Sequence, residues 1–219
     1  MIEYQVGRDS KDKFHVFGPF NANAVPLEIP SGNPHKKHYI DLFLHKADID
    51  RGIQFLNFIS EDNDTTVNEA LFIAGLNNCM KCFKRSKSRC KLDKQTVFGS
   101  SQDQLNEFVY FEVLRDKHYD HDENGMFQTI AFLLTYPTEN GFFLGNPSVV
   151  WNRIKLDFFS QGQRLKKIMD IVLSYLRKEI DDTGRLIISD YKGITADELL
   201  GWRPAKLKPA TNTSPRSNE

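Results

Sequence analysis

Residues 104–118 read QLNEFVYFEVLRDKH, and YDHDENG carries the run on to Gly125. Its first part places Leu105, Phe108, Val109, Tyr110, Phe111, Val113 and Leu114 within a few turns. At about 100° of rotation per residue these side chains point to nearly every side of a helix, which predicts that the middle of this helix lies inside a bundle. Ser101 and Gln104 stand in front of it at capping-box spacing. The second part is dense in titratable groups: Arg115, Asp116, Lys117, His118, Asp120, His121, Asp122 and Glu123. Asn124-Gly125, a turn pair that helices rarely cross, closes the stretch. A core helix therefore delivers acid–base chemistry to its own end.

Working outward, the chain has 219 residues, 40% hydrophobic and 26% charged, which fits one soluble domain with extensions. Its 29 basic and 29 acidic side chains cancel, so a polyanionic partner must be met by a local patch rather than by net charge. MIEYQVGRDSKDKF offers no apolar signal-peptide core and no window is long and apolar enough to span a bilayer, so the expectation is a cytoplasmic protein without membrane contact. The cysteines are Cys79, Cys82 and Cys90, an odd and crowded set that makes no disulfide framework and suits a reducing compartment.

Residues 1–35 read as an extended arm. FHVFGPF supplies one short edge strand, and Pro19, Pro26, Pro30 and Pro34 exclude a helix of any length. A helical domain follows over 36–190. The first helix, His38 to Ile59, is apolar round most of its circumference; the second opens on a Thr66/Glu69 capping box and ends near Ser86. After the third helix, MFQTIAFLLTY, PTENG and FFLGNPSVVWNRIKL form a β-hairpin at about 126–156. The fourth helix runs from about Ser160 to Asp182, with Ile168, Ile171, Val172, Tyr175 and Leu176 on one side and Asp170, Ser174, Arg177 and Lys178 on the other. Asp182-Thr183-Gly184 ends it and RLIIS is a separate apolar piece, while residues 203–219 are too polar to repay ordering and read as a disordered tail. The fold class is mainly α: a bundle of about four helices with a small β-hairpin inserted between the third and fourth.

Arg115-Asp116 followed by His121 resembles the arginine, polar residue, spacer, histidine signature of the HEPN superfamily of helical-bundle proteins. The order AGLNNCMKCFKRSKSRCKLDKQTVFG, helix, RDKHYDHDEN, apolar strand is similar to a bacterial HEPN-like group whose segment reads RDKHxxH. The likeness spans about 38–182 in order of elements, and is motif-specific over Arg115–His121. It implies a four-helix HEPN-like bundle, metal-independent endoribonuclease activity of toxin or defence type, no cofactor, a site shared across a homodimer, and an antitoxin protein as a further partner. It assigns Arg115 to the motif arginine, Asp116 to the polar position and His121 to the motif histidine; His118 is an extra beside them, a second base or a substrate contact.

These residue types suit the chemistry. RNA brings its own nucleophile, the 2′-hydroxyl, so the protein needs a near-neutral base and a permanent cation beside the phosphate. Histidine and the forked guanidinium supply them. Asp120 departs from the group, where a small or apolar residue is usual, and Asp122 and Glu123 would repel a phosphodiester. In a straight helix Arg115 and His121 diverge by about 120°, so a bend, the reach of arginine or a second subunit must bring them together. The inert alternative pairs Arg115 with Glu112 or Asp116 and sets the histidines against the helix dipole.

Lys81, Lys84, Arg85, Lys87, Arg89, Lys91 and Lys94 face the single acid Asp93, with Phe83 interleaved. Lys84, Arg85, Lys87, Arg89 and Lys91 are the candidate RNA-backbone track, the alternative being a solvated helix end. Two other functions stay open: a non-catalytic HEPN-like module binding RNA, a nucleotide or a protein, and a metal-dependent hydrolase built on His118, His121 and Asp122. Cys79 and Cys82 are spaced for a mixed zinc site but suit small buried hydrophobes better, and His35 and His38 decorate an exposed helix start. No glycine-rich phosphate loop, nucleophile elbow or HExxH helix is present, which excludes the familiar designs for nucleotide hydrolysis.

Overall fold

A computed structural model describes residues 5–8, 14–17, 27–116, 127–138, 141–153 and 156–202. In chain order these form β1 (Gln5–Arg8), β2 (Phe14–Phe17), α1 (Lys36–Asn57), α2 (Thr65–Lys81), α3 (Lys94–Phe98), α4 (Gln102–Leu114), β3 (Phe127–Thr138), β4 (Gly141–Arg153), α5 (Phe158–Asp190) and α6 (Ala196–Leu200). Among the described residues β1 pairs with β2 and β3 with β4, both antiparallel. Among the described residues no helix is long and apolar enough to cross a membrane. The protein is mainly helical, with the expected hairpin between the helix that ends at Leu114 and the long helix that follows. FHVF is a strand as expected, and Gln5–Arg8 is its partner. Residues 203–219, the expected tail, lie outside the described residues.

The chain divides into two compact units: 48–84 with 92–173, and the described parts of 1–47, 85–91 and 174–219. In the first, α1 and α2 approach at glycines. A Cβ added to Gly52 would lie 2.3 Å from Met169 Cε and 3.2 Å from the Gly75 carbonyl oxygen, and one added to Gly75 would lie 2.6 Å from Leu56 Cδ2. Gly75, an apparent weakness in a helix, is what lets the two backbones close up. Asp64 caps α2 by accepting from the Thr66 N–H at 2.7 Å, so the cap lies ahead of the expected Thr66/Glu69 box. The buried Asn68 ties the α1–α2 connection, donating to the Ser60 carbonyl at 2.7 Å and accepting from the Asn63 side chain at 2.9 Å.

Helix α2 ends at Lys81, short of Ser86, because Cys82 and Phe83 turn into the core and the Leu92 N–H bonds back to the Cys82 carbonyl at 2.9 Å. Phe83 then packs on Phe108 and Phe98, with ring centroids 4.5 and 5.9 Å away, and Phe98 stacks on Phe108 at 4.9 Å. Ser101 caps α4 through Gln104, as its spacing predicts. Helix α4 is not buried all round: Leu105, Phe108, Phe111 and Leu114 form a sealed stripe, while Val113 is 44% exposed. Arg164 locks α5 to α4, its guanidinium forking onto Glu107 at 2.8 and 2.9 Å and lying 4.7 Å over the Tyr110 ring.

In the other unit α5 runs through Gly184 to Asp190 instead of stopping at Asp182, so RLIIS belongs to it. Leu176, Ile180, Thr183 and Ile187 are buried at helical spacing, a stripe that continues past the glycine. Tyr39 of α1 lies beside Gly184, and Asn33 donates to the Asp190 carboxylate at 2.9 Å, fastening the last turn. Thr195 and Glu198 make a complete capping box for α6.

Gly52→Val forces a branched side chain into the α1–α2 contact and is expected to lower unfolding stability by about 2 kcal/mol, the scale of overpacking, which urea denaturation measures. Stability equal to the parent protein would show that the two helices do not depend on that close approach.

Candidate nucleic-acid interface

Helix α4 brings Arg115 to the edge of the core. At Arg115-Asp116 the backbone widens into a π-helical turn, a form that often marks functional positions. The Arg115 side chain is 9% exposed and its Nη2 donates to Asp116 Oδ1. The same carboxylate oxygen takes Lys84 Nζ at 3.2 Å. One turn earlier, Glu112 pairs with Lys94 Nζ at 2.6 Å. Two cations from the basic stretch therefore stand along the end of α4, and Lys84 shares a carboxylate with the motif arginine. The ion pair that the inert reading expected, Arg115 with Asp116, is present; Glu112 instead serves Lys94. His118, His121, Asp120 and Asp122 lie outside the described residues, so the pairing of Arg115 with His121 and the His118/His121/Asp122 metal alternative fall there too. Among the described residues no group of three or more His, Cys, Asp and Glu side chains is placed to hold a metal ion.

The thiols of Cys79 and Cys82 are sealed in the core. Burial pushes the Cys79 thiol well above its ordinary range, and the neighbouring Cys82 adds to this. Both behave as the small buried hydrophobes that their setting in α2 suggested.

Arg85, Lys87, Arg89 and Lys91 lie in the other unit, on a loop without regular structure: Arg85, Lys87 and Lys91 are exposed and Arg89 half-buried. The loop is not loose. Cys90 is held at both backbone groups by α1: its N–H donates to Asp41 Oδ2 at 2.8 Å and its carbonyl accepts from His45 Nε2 at 2.8 Å. Since a carbonyl only accepts, the His45 proton on this bond sits on Nε2. Asp41 and His45 are 3% and 0% exposed. Lys37 Nζ reaches Asp41 at 2.9 Å and the Ser88 carbonyl at 3.4 Å. The Cys90 sulfur lies 3.9 Å from His38 Nδ1 and 4.0 Å from His45 Nε2. His38, on an exposed turn of α1 as expected, is thus part of this contact.

Burial alone would raise the Asp41 carboxyl; the Cys90 N–H and Lys37, by hydrogen bond and charge, outweigh it and hold it below its ordinary value. The Cys90 thiol is pushed up, first by burial and then by the Asp41 carboxylate. Sequence reasoning missed this clasp. Its available signal was an acid and a histidine at i and i+4, Asp41 and His45, on either side of the apolar run Leu42-Phe43-Leu44.

Asp41→Asn removes the charge that opposes thiolate formation, so alkylation of Cys90 by iodoacetamide at pH 8 is expected to speed up by roughly three- to tenfold. The sealed Cys79 and Cys82 supply a silent background. A carboxyl depressed in the folded protein stabilises it above its unfolded value and loses that contribution as pH falls through the folded one. The clasp is therefore expected to release as pH falls below the ordinary carboxylate range, seen as faster reaction of Cys90 with 4,4′-dithiodipyridine. A rate indifferent to both changes would show that Asp41 does not govern the thiol.

Comparison of the chain with protein-family models, with curated proteins and with solved structures found no match.

Proposed function

We propose that this chain acts on RNA as a HEPN-type, metal-independent endoribonuclease of toxin or defence type, working in the cytoplasm with its site at the end of α4. One observation carries the reading: Lys84 and Arg115 converge on the carboxylate of Asp116, at the entrance to the segment that holds His118 and His121. Two cations gathered on one carboxylate make a place where a phosphate can exchange for that carboxylate, because both anions use the same donors. Arg115 and Lys84 then bracket the phosphorus and stabilise its added charge. His121 takes the 2′-hydroxyl proton as the 2′-oxygen attacks phosphorus. The bond to the 5′-oxygen breaks and His118 returns a proton to it, leaving a 2′,3′-cyclic phosphate and a 5′-hydroxyl. On this reading a second copy completes the groove, as the motif implies, and an antitoxin protein is the partner that restrains it.

The burial of Arg115 and its tie to Asp116 favour a second reading, in which the same end of α4 holds RNA without cutting it. Purified protein incubated with mixed RNA in EDTA separates them. The nuclease reading expects 2′,3′-cyclic phosphate ends, with Arg115→Ala and His121→Ala each slowing cleavage by about 10²-fold or more. Cleavage unchanged in both variants overturns it, and affinity without turnover selects the binding module.

A further inference from the structure

We propose that the loop 85–91 and the first turns of α1 together form a binding surface for the phosphate backbone of single-stranded RNA, with Asp41 and His45 as its positioning residues. The proposal shares its ligand class with the reading above and rests on it for the choice of RNA, but it uses a different set of residues.

The sequence RSKSRCK carries Arg85, Lys87, Arg89 and Lys91 and no acid, and the start of α1 adds Lys36, Lys37 and His38. The structure joins these two cationic segments, distant in sequence, through Asp41, His45 and Lys37 on one side and the backbone of Ser88 and Cys90 on the other. The acid nearest the surface, Asp41, is buried and its charge is already met by the Cys90 N–H and Lys37. Lys36 is spoken for by Glu28 at 2.8 Å. Among the described residues no acid pairs with Arg85, Lys87 or Lys91. Arg85, Lys87 and Lys91 are thus exposed cations with no acid partner among the described residues, on a loop held in one shape by bonds to its backbone.

Chemistry narrows the ligand. Ser86 and Ser88 are exposed between the cations, their hydroxyls bonded to each other at 2.9 Å, and arginine alternating with lysine suits a chain of phosphates, where forked donors and point charges both find oxygens. Loop 85–91 itself has no aliphatic or aromatic side chain, but Ile40 and Phe43 are exposed in the same turns of α1, so an interfacial membrane site is the alternative that the vesicle arm of the test decides. The backbone of an unpaired strand, flexible enough to follow a bent loop, meets these terms.

The test uses the full chain and a fluorescein-labelled, 2′-O-methylated oligouridylate of roughly twenty nucleotides, long enough to cover one such site. Methylation removes the nucleophile, so binding is read without cleavage. Anisotropy titrations over a range of salt should show log affinity falling with log salt. Replacing Lys87, Arg89 and Lys91 together by Gln should make that slope shallower by about 2, from roughly 0.7 per lost contact, and weaken binding at least tenfold near physiological salt. Lys37 is left in place, because removing it would expose the Asp41 charge.

Replacing Lys87, Arg89 and Lys91 should cost the same in an Arg115→Ala background as in the parent, because the two sets of residues are separate; Arg115→Ala by itself tests the α4 site, so failure of one proposal does not carry the other. His45→Leu should weaken binding and speed Cys90 alkylation together, while His45→Gln, which keeps a donor for the Cys90 carbonyl, should restore both. Circular dichroism confirms that each variant is folded. A triple variant that binds like the parent at every salt concentration overturns the surface. Binding to phosphatidylserine vesicles or to polyglutamate as tightly as to the oligonucleotide overturns the choice of RNA. No further loss when the triple replacement is added to Arg115→Ala overturns the separation of the two sites.

Discussion

The approach of two backbones at Gly52 and Gly75 sets the rest of the larger unit. A side chain at either position would stand where Met169 and Leu56 now pack, and would push α1 and α2 apart. With the helices close, the last turn of α2 seals Cys79, Met80 and Cys82, and Phe83 arrives against Phe98 and Phe108. That aromatic contact fixes the rotation of α4. Its sealed stripe of Leu105, Phe108, Phe111 and Leu114 is continued by Arg115, which explains why the motif arginine reaches the core boundary rather than open solvent. A packing constraint in one pair of helices therefore decides how Arg115 is presented at the end of another.

Charge is distributed by a related economy. Several acids are engaged with particular cations: Glu107 with Arg164, Glu112 with Lys94, Asp48 with Lys81, Asp41 with Lys37. Exposed pairs of this kind add little to stability individually. Asp41, which belongs to the same unit as the 85–91 loop, is met by Lys37 and the Cys90 N–H. Net neutrality of the sequence thus coexists with a local field that an average over all residues hides.

What was legible in the sequence follows from how far each signal reaches. The hairpin was legible because its turn residues and apolar runs are local, and the cap of α4 because Ser101 and Gln104 are neighbours. The extent of α5 was not: Asp182-Thr183-Gly184 has the composition of a helix end, and the override comes from the buried Thr183 and Ile187 and from Tyr39 beside Gly184, contacts that composition does not encode. The all-round apolar look of α4 overstated its burial, since Val113 is exposed, Val109 and Tyr110 only half-buried, and the sealed stripe occupies one side. For the site, the motif picked out Arg115 and Asp116, and the basic stretch picked out Lys84, but their shared carboxylate is a tertiary fact. The Cys90 clasp lay furthest from view. Its donors and acceptors are backbone groups, which every residue has, so nothing in the identity of Cys90 announces them.

The β3–β4 ribbon is long for an isolated pair, and its described outer residues include the exposed Leu133, Leu134 and Tyr136. A straight ribbon of that composition would be a template for fibril growth, adding strand upon strand along its free edge. Here the register slips between Leu133 and Thr135, bending and twisting the ladder in its middle, and Pro147 opposite Leu133 and Pro137 opposite Phe142 each have no N–H to offer a ladder. The irregularity works as a kink in a zipper, stopping an incoming chain from registering along the full length while leaving the hairpin itself paired.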